Sequence, residues 1–301
     1  MIISASRRTD IPAFYSQWFM NRVRAGCCEV PNPFNPSQSV FVSLRPEDVD
    51  VIVFWTRDPS PMVPYLMELN ECGFRYYFLY TVMDNPSSID PYCPPVTTSL
   101  HTFRALADRI GPARVIWRYD PIAFTPCTDP EFHEEAFRHI AEALRGHTNR
   151  CIISTISLYR KTGNRLARKG IRITPPEEKA FKNLMLFIAG EAQDKGMEIC
   201  SCAMPLELDE YGIKHGKCVD DSYIRKVFGV EVTHRKDPSQ RKACGCVISK
   251  DIGMYDTCLF GCLYCYATSS VEKARENRKK HDPESPRLVC SRASQGHSQR
   301  S

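Results

Sequence analysis

The chain has 301 residues, 15 of them cysteine, and 40 Lys+Arg against 35 Asp+Glu give a formal net charge of +5. An apolar share of 43% with 25% charged residues is an ordinary globular composition and excludes a disordered or fibrous chain. No run of 18 apolar residues occurs, which excludes a membrane-spanning helix, and the apolar N-terminal stretch is too short for a signal peptide. The expectation is a cytoplasmic protein in a reducing compartment. There, an odd and large number of cysteines points to metal or redox chemistry, not to a disulfide scaffold.

In chain order, short β-branched and aromatic runs alternate with helical patterns. Ile2–Ala5 reads as a first strand. Ala13–Ala25 reads as a helix, with Phe14, Trp18, Phe19 and Val23 on one face and Gly26 as its stop. Val40–Ser43 is a small extra strand. Val51–Trp55 is continuously apolar, as in a strand buried on both faces. A helix over Pro61–Cys72 precedes a strand over Phe74–Thr81, and a helix over His101–Ile110 precedes a strand over Arg114–Arg118. Asp129 caps a helix reaching Arg145, Cys151–Thr155 is a strand, Pro175–Ala192 a long helix, and Met197–Cys200 the sixth main strand. This alternation predicts an α/β fold with a parallel sheet, read as a partial (β/α)6 TIM-like barrel with a C-terminal iron–sulfur cluster-binding segment. Neither Gly-x-Gly-x-x-Gly after the first strand nor a Walker A sequence occurs, which weakens a doubly wound nucleotide-binding sheet. The predicted division is 1–200 for the barrel, 201–268 for the cysteine-rich segment, and 269–301 for a basic, solvated tail.

Charge and cysteine are both uneven. Eight Lys/Arg and four Asp/Glu fall from Ser269 onward, a net of +4, which leaves +1 for residues 1–268. A nearly neutral body argues against a large nucleic-acid surface, and the expected partner is a small-molecule substrate. Polar residues follow the strands: Arg7, Arg8 and Asp10 after the first, Arg57 after the second, Arg118 and Asp120 after the fourth. Ligands of parallel α/β folds bind at the C-terminal ends of strands, so Arg7, Arg8, Asp10, Arg118 and Asp120 are the candidate catalytic residues. Phe54-Trp55 reads as barrel filling, and Cys72, Cys127 and Cys151 as packed small apolar residues.

Eight cysteines lie between Cys200 and Cys265. The sharpest pattern is Cys258-Leu259-Phe260-Gly261-Cys262-Leu263-Tyr264-Cys265, a CxxxCxxC spacing. Three such thiolates can hold three irons of a [4Fe–4S] cluster and leave the fourth open, whereas structural zinc wants four ligands. Upstream, Cys202, Cys218, Cys244 and Cys246 can hold a second [4Fe–4S] cluster or a zinc ion, with the iron–sulfur cluster ranked first.

The CxxxCxxC loop, with Tyr264 before the last cysteine, resembles the radical S-adenosylmethionine (SAM) superfamily, and it is similar to the cluster loop of spore photoproduct lyase. The resemblance implies that Cys258, Cys262 and Cys265 ligate a [4Fe–4S] cluster, that the open iron chelates SAM, and that Tyr264 lies beside the adenine. It further implies an electron donor such as flavodoxin or ferredoxin, and a 5′-deoxyadenosyl radical that abstracts hydrogen from substrate. Superfamily members carry the motif after the first strand; here it follows all six. Ser6–Pro12, Phe54–Arg57, Arg118–Pro121 and Asp251–Ala267 make the whole chain resemble an uncharacterised bacterial family, domain of unknown function 1848, over roughly residues 1–286. That resemblance favours Cys202 over Cys200 as a ligand. Competing readings are a non-catalytic iron–sulfur or zinc protein and a nucleic-acid repair enzyme.

Overall fold

The structure is a computed structural model that describes residues 1–290. Strand β1 (Ile2–Ala5) is followed by two short helices, α1 (Ile11–Phe14) and α2 (Ser16–Arg24), and by a hairpin of β2 (Cys27–Asn32) and β3 (Asn35–Ser43). Strands and helices then alternate: β4 (Val51–Thr56), α3 (Leu66–Glu71), β5 (Tyr76–Thr81), α4 (Val96–Ile110), β6 (Val115–Ile122), α5 (Pro130–Ala143) and β7 (Arg150–Thr155). Helices α6 (Arg160–Arg168) and α7 (Glu178–Asp194) precede β8 (Glu198–Ser201). The last third holds β9 (Lys214–His215), α8 (Asp221–Phe228), β10 (Lys250–Asp251) and α9 (Val271–Arg278).

Eight strands form one parallel sheet in the order β10-β1-β4-β5-β6-β7-β8-β9. The six main strands keep chain order with no reversal, unlike a doubly wound sheet. β10 and β9 are the two edges and are not bonded to each other, so the sheet stays open. Among the described residues, no helix is long and apolar enough to cross a membrane.

The pleat divides each strand between two cores. Ile3, Ile52, Phe54, Phe78, Trp117 and Ile153 face the layer of α2, α3, α4, α5 and α7. Their alternating neighbours Ile2, Val51, Val53, Leu79, Ile116 and Ile152 pack against Val219, Tyr223, Ile224, Val247 and five cysteines. The second face of the sheet is therefore covered by the C-terminal segment of the chain. Both faces are sealed, which is why these strands read as unbroken apolar runs.

Several boundaries differ from the sequence expectation, and proline explains most of them. Pro64 sits inside a 3₁₀ turn over Ser60–Tyr65, so the helix expected from Pro61 begins only at Leu66. Pro175-Pro176 disfavours the α region before it, and α7 starts at Glu178. Cys27 and Cys28, read as loop, open β2 and pair with Ser43 and Val42; Pro31 within the run masked the strand. Helix α6 was not anticipated.

The expected solvated tail is corrected over residues 269–290. Ser270 caps α9 by accepting from the Lys273 amide at 3.1 Å. Trp18 Nε1 donates to the Ser285 carbonyl at 2.9 Å, and Arg22 Nη2 to the Glu284 carbonyl at 2.9 Å. Leu288 is 1% exposed. The partners are on α2, more than 260 residues away, so composition alone could not show them. The remainder of the expected tail, residues 291–301, lies outside the described residues.

Candidate functional site

The loops that follow the strands enclose a cavity of about 270 Å³ at the C-terminal ends of the sheet. Arg7, Arg8, Asp10, Arg118 and Asp120 all line it, as do Cys258, Cys262, Tyr264, Cys265, Cys202, Cys218, Cys244 and Cys246. Residues far apart in the chain thus share one wall-to-wall site.

The loop after β1 is held by Asp251 at the end of β10. Ser6 Oγ donates to Asp251 Oδ1 at 2.7 Å and the Arg7 amide to Oδ2 at 2.8 Å. Ser6 Oγ in turn accepts from the Arg8 amide at 2.9 Å. Asp10 caps α1, accepting from the Ala13 amide at 3.0 Å, and also accepts from the Arg57 amide at 2.7 Å. It therefore ties the loops after β1 and β4 together. Burial pushes its carboxyl up to about 7, against the lowering effect of those amides.

Trp55 was read as filling, but only Phe54 is; Phe54 is fully buried and stacks on Phe78 at 4.8 Å. Trp55, one position on, faces the cavity because successive side chains alternate across the sheet. The guanidinium carbons of Arg7 and Arg118 lie 5.1 and 4.9 Å from its ring centre. Arg118 is also ion-paired with Asp120, which accepts from Ser154 Oγ. Arg7 Nη1 donates to Ser249 Oγ at 2.9 Å. Arg7 Nη2 and Arg118 Nε are buried without a hydrogen-bond partner.

The CxxxCxxC loop is sewn down from several elements. Arg165 of α6 donates to the carbonyls of Cys262, Cys265 and Thr268 at 3.1, 3.0 and 2.8 Å. Tyr15 Oη donates to the Thr257 carbonyl at 2.8 Å, and Tyr266 Oη to the Arg7 carbonyl at 3.0 Å. Tyr264 Oη donates to Asp90 Oδ2 at 2.8 Å and accepts from Arg57, which lies 3.4 Å from the same carboxylate oxygen. Gly261 takes φ +69°, the left-handed region that favours glycine, and a Cβ there would come within 2.7 Å of Val271 Cγ2. Burial pushes the Cys258 thiol well above its ordinary range.

Two groups bring three ligand atoms within 4.8 Å of one another: Cys202, Cys244 and Cys246, and Asp90, Cys93 and Cys262. Cys258, Cys262 and Cys265 are not drawn that tightly together. Cys218 lies beside the first group, its Sγ 3.2 Å from that of Cys202. Cys200 stands apart, accepting from Arg150 Nη2 at 3.4 Å. Cys72 and Cys127, read as packed, are exposed, whereas Cys151 is buried; the first two sit in a helix cap and a turn on the solvent side. Sequence reasoning missed Cys93, Asp90, Trp55 and Arg165. Cys93, wedged in Asp90-Pro91-Tyr92-Cys93-Pro94-Pro95, was the one with a visible signal, since so many prolines mark a rigid loop rather than a core position.

No curated protein matches the chain. Among solved structures, that of a triazine hydrolase variant is similar over 56% of this chain and 44% of its own length, at 14% identity and a TM-score of 0.29. So weak a likeness carries no argument about function. The family model described as domain of unknown function (DUF1848) matches residues 2–267, which take in the sheet and both sets of cysteines, and the chain belongs to that family.

Proposed function

We propose that the chain is an iron–sulfur enzyme of the radical-SAM type, acting on a small molecule in the cavity at the strand ends. The observation that carries this reading is the position of β10. This strand precedes the CxxxCxxC loop and pairs in parallel with β1, Ile3 opposite Lys250 and Ser4 opposite Asp251. Although the motif comes last in the chain, its strand comes first in the sheet. The singly wound order then supports a partial (β/α)6 barrel with the cluster-loop strand added beside its first strand.

The residues fit the cofactor. Cys258, Cys262 and Cys265 face the cavity and are less crowded than ligands of a single ion, which leaves room for a cubane. Cys258, Cys262 and Cys265 would hold a [4Fe–4S] cluster, which would supply the electron for reductive cleavage of SAM. The chain's own groups orient and enclose. Arg57 and Asp90 fix the Tyr264 ring, Arg165 holds the loop backbone, and Trp55 offers a flat wall between charged groups.

The test is anaerobic reconstitution with iron and sulfide, followed by reduction with dithionite, flavodoxin or ferredoxin. SAM should change the electron paramagnetic resonance spectrum of the reduced cluster and yield 5′-deoxyadenosine. An unchanged spectrum with no deoxyadenosine would overturn the reading. A second reading, a non-catalytic cluster closed by a fourth thiolate, draws on Cys93 beside Cys262. It predicts that SAM changes the spectrum only in Cys93→Ser.

A further inference from the structure

We propose that Cys202, Cys218, Cys244 and Cys246 bind a single zinc ion in a closed tetrahedral site. This goes beyond the radical-SAM reading, concerns different ligands, and reverses the order of preference that cysteine spacing gives.

The geometry separates the two metal chemistries. Zinc–thiolate bonds of about 2.3 Å around one tetrahedral ion put the sulfurs about 3.8 Å apart. A cubane cluster stands between its thiolates and spreads them further. Here Cys202, Cys244 and Cys246 offer sulfurs within 4.8 Å of one another, and Cys218 Sγ is 3.2 Å from Cys202 Sγ. The CxxxCxxC triad, by contrast, is not drawn together in this way. One chain therefore carries a compact thiol knot and a looser thiol triad on the same cavity.

The surroundings suit a thiolate-only ion. All four side chains are buried, and no carboxylate belongs to the compact group. The Val219 amide donates to Cys246 Sγ at 3.4 Å, an N–H···S bond of the kind that supports a metal thiolate. Zinc held by four thiolates is doubly negative and needs compensation. Arg7 and Arg118 line the same cavity as the four cysteines. Arg7 Nη2 and Arg118 Nε are among the buried donors left without a hydrogen-bond partner. A bound tetrathiolate accounts for both orphaned groups at once.

The fold supplies a reason for such an ion. The described residues 229–249 form no helix or strand beyond a single bridge, Lys236 to Val247. This segment nevertheless covers part of the second face of the sheet, contributing Val232, Cys244, Cys246 and Val247 to its core. A loop with so few apolar anchors buries too little surface to offset the entropy of ordering it. An ion that ties Cys244 and Cys246 to Cys202 after β8, and to Cys218 before α8, closes the cover by cross-linking.

The test is elemental analysis of full-length protein produced in medium supplied with both zinc and iron. About one zinc per chain is expected in the wild type. It should persist in a Cys258→Ala, Cys262→Ala, Cys265→Ala triple variant and be lost in Cys244→Ser, Cys246→Ser. Cobalt exchanged into the intact wild type should show the strong visible bands and near-ultraviolet charge transfer of a tetrahedral thiolate site. That measurement stands even if the double variant fails to fold. Absence of zinc from the wild type, or iron–sulfur absorption persisting in the triple variant, would overturn the proposal. Neither outcome depends on SAM cleavage, so the two readings fail separately.

Discussion

Cys93 Sγ lies 3.6 Å from Cys262 Sγ, although the two residues are 169 positions apart and only the second belongs to the CxxxCxxC motif. This contact, with burial behind it, holds the Cys262 thiol well above the usual range. In the metal-free protein the pair is a dithiol one oxidation step from a disulfide. Treatment of metal-free protein with diamide should join Cys93 to Cys262, the two thiols passing two electrons and two protons to the reagent. Non-reducing peptide mass spectrometry reads the cross-link. Cys93→Ser should retain its capacity to take up iron after the same treatment, whereas the wild type loses it. Cross-linking of other cysteines with this pair untouched would count against the assignment.

Arg57 and Asp90 form a buried ion pair, with side chains 13% and 3% exposed, and both reach Tyr264. Removing one partner strands the other charge away from water. Arg57→Ala should therefore cost about 3 kcal/mol of unfolding free energy, measured by urea denaturation. The double change Arg57→Met, Asp90→Asn should lie closer to the wild type, because no bare charge is left. A single variant as stable as the wild type would show that the pair is solvated.

Gly261 and Gly163 provide a matched comparison. Gly261 has φ +69° and no space for a Cβ, whereas nothing lies within 4 Å of a Cβ at Gly163 in α6. Gly261→Ala should destabilise by about 1–3 kcal/mol and lower the iron retained on reconstitution. Gly163→Ala should raise the melting temperature, since alanine gains up to about 1 kcal/mol over glycine inside a helix. Equal effects at the two sites would show that the cluster loop tolerates backbone change.

His133 makes the fold acid-sensitive. It is fully buried, with Nε2 3.3 Å from the Ala123 carbonyl and Nδ1 2.8 Å from Tyr119 Oη. A carbonyl only accepts, so Nε2 carries the proton and Nδ1 accepts from Tyr119. Burial lowers its pKa from 6.5 to about 4. The unfolded chain therefore binds the extra proton first as pH falls. Stability should decline from pH 6.5 down to about pH 4, by up to about 3 kcal/mol. His133→Gln should flatten that limb in a urea titration at several pH values, whatever it does to stability at pH 8. A wild-type profile already flat between pH 4 and 6.5 would contradict the assignment.

The six main strands and most helices were legible because their signals are local. Val51–Trp55 is apolar throughout since both sheet faces are covered, and His133 and Phe137 repeat at helical spacing on α5. Pro64 was equally visible, and the helix start at Pro61 came from weighting periodicity above it; Pro175 was read as a helix start, and α7 begins three residues later. Trp55 was misread for a different reason. Alternation says that it and Phe54 face opposite ways, but not which way meets the cavity.

The sequence by itself determined the parallel α/β class, the CxxxCxxC loop and the second set of four cysteines, because periodicity and ligand spacing are properties of neighbouring residues. The tertiary structure alone decided how they combine. It put β10 beside β1, which moves the last motif to the first position in the sheet. It drew Cys202, Cys244 and Cys246 into one compact group with Cys218 against Cys202, and set Cys93 against Cys262. It also folded residues 269–290 onto α2, so the +4 charge that seemed to belong to a free tail is partly carried by packed structure. These are contacts between residues from 16 to more than 260 positions apart. Their energies depend on distance in space, and composition and spacing carry no information about that.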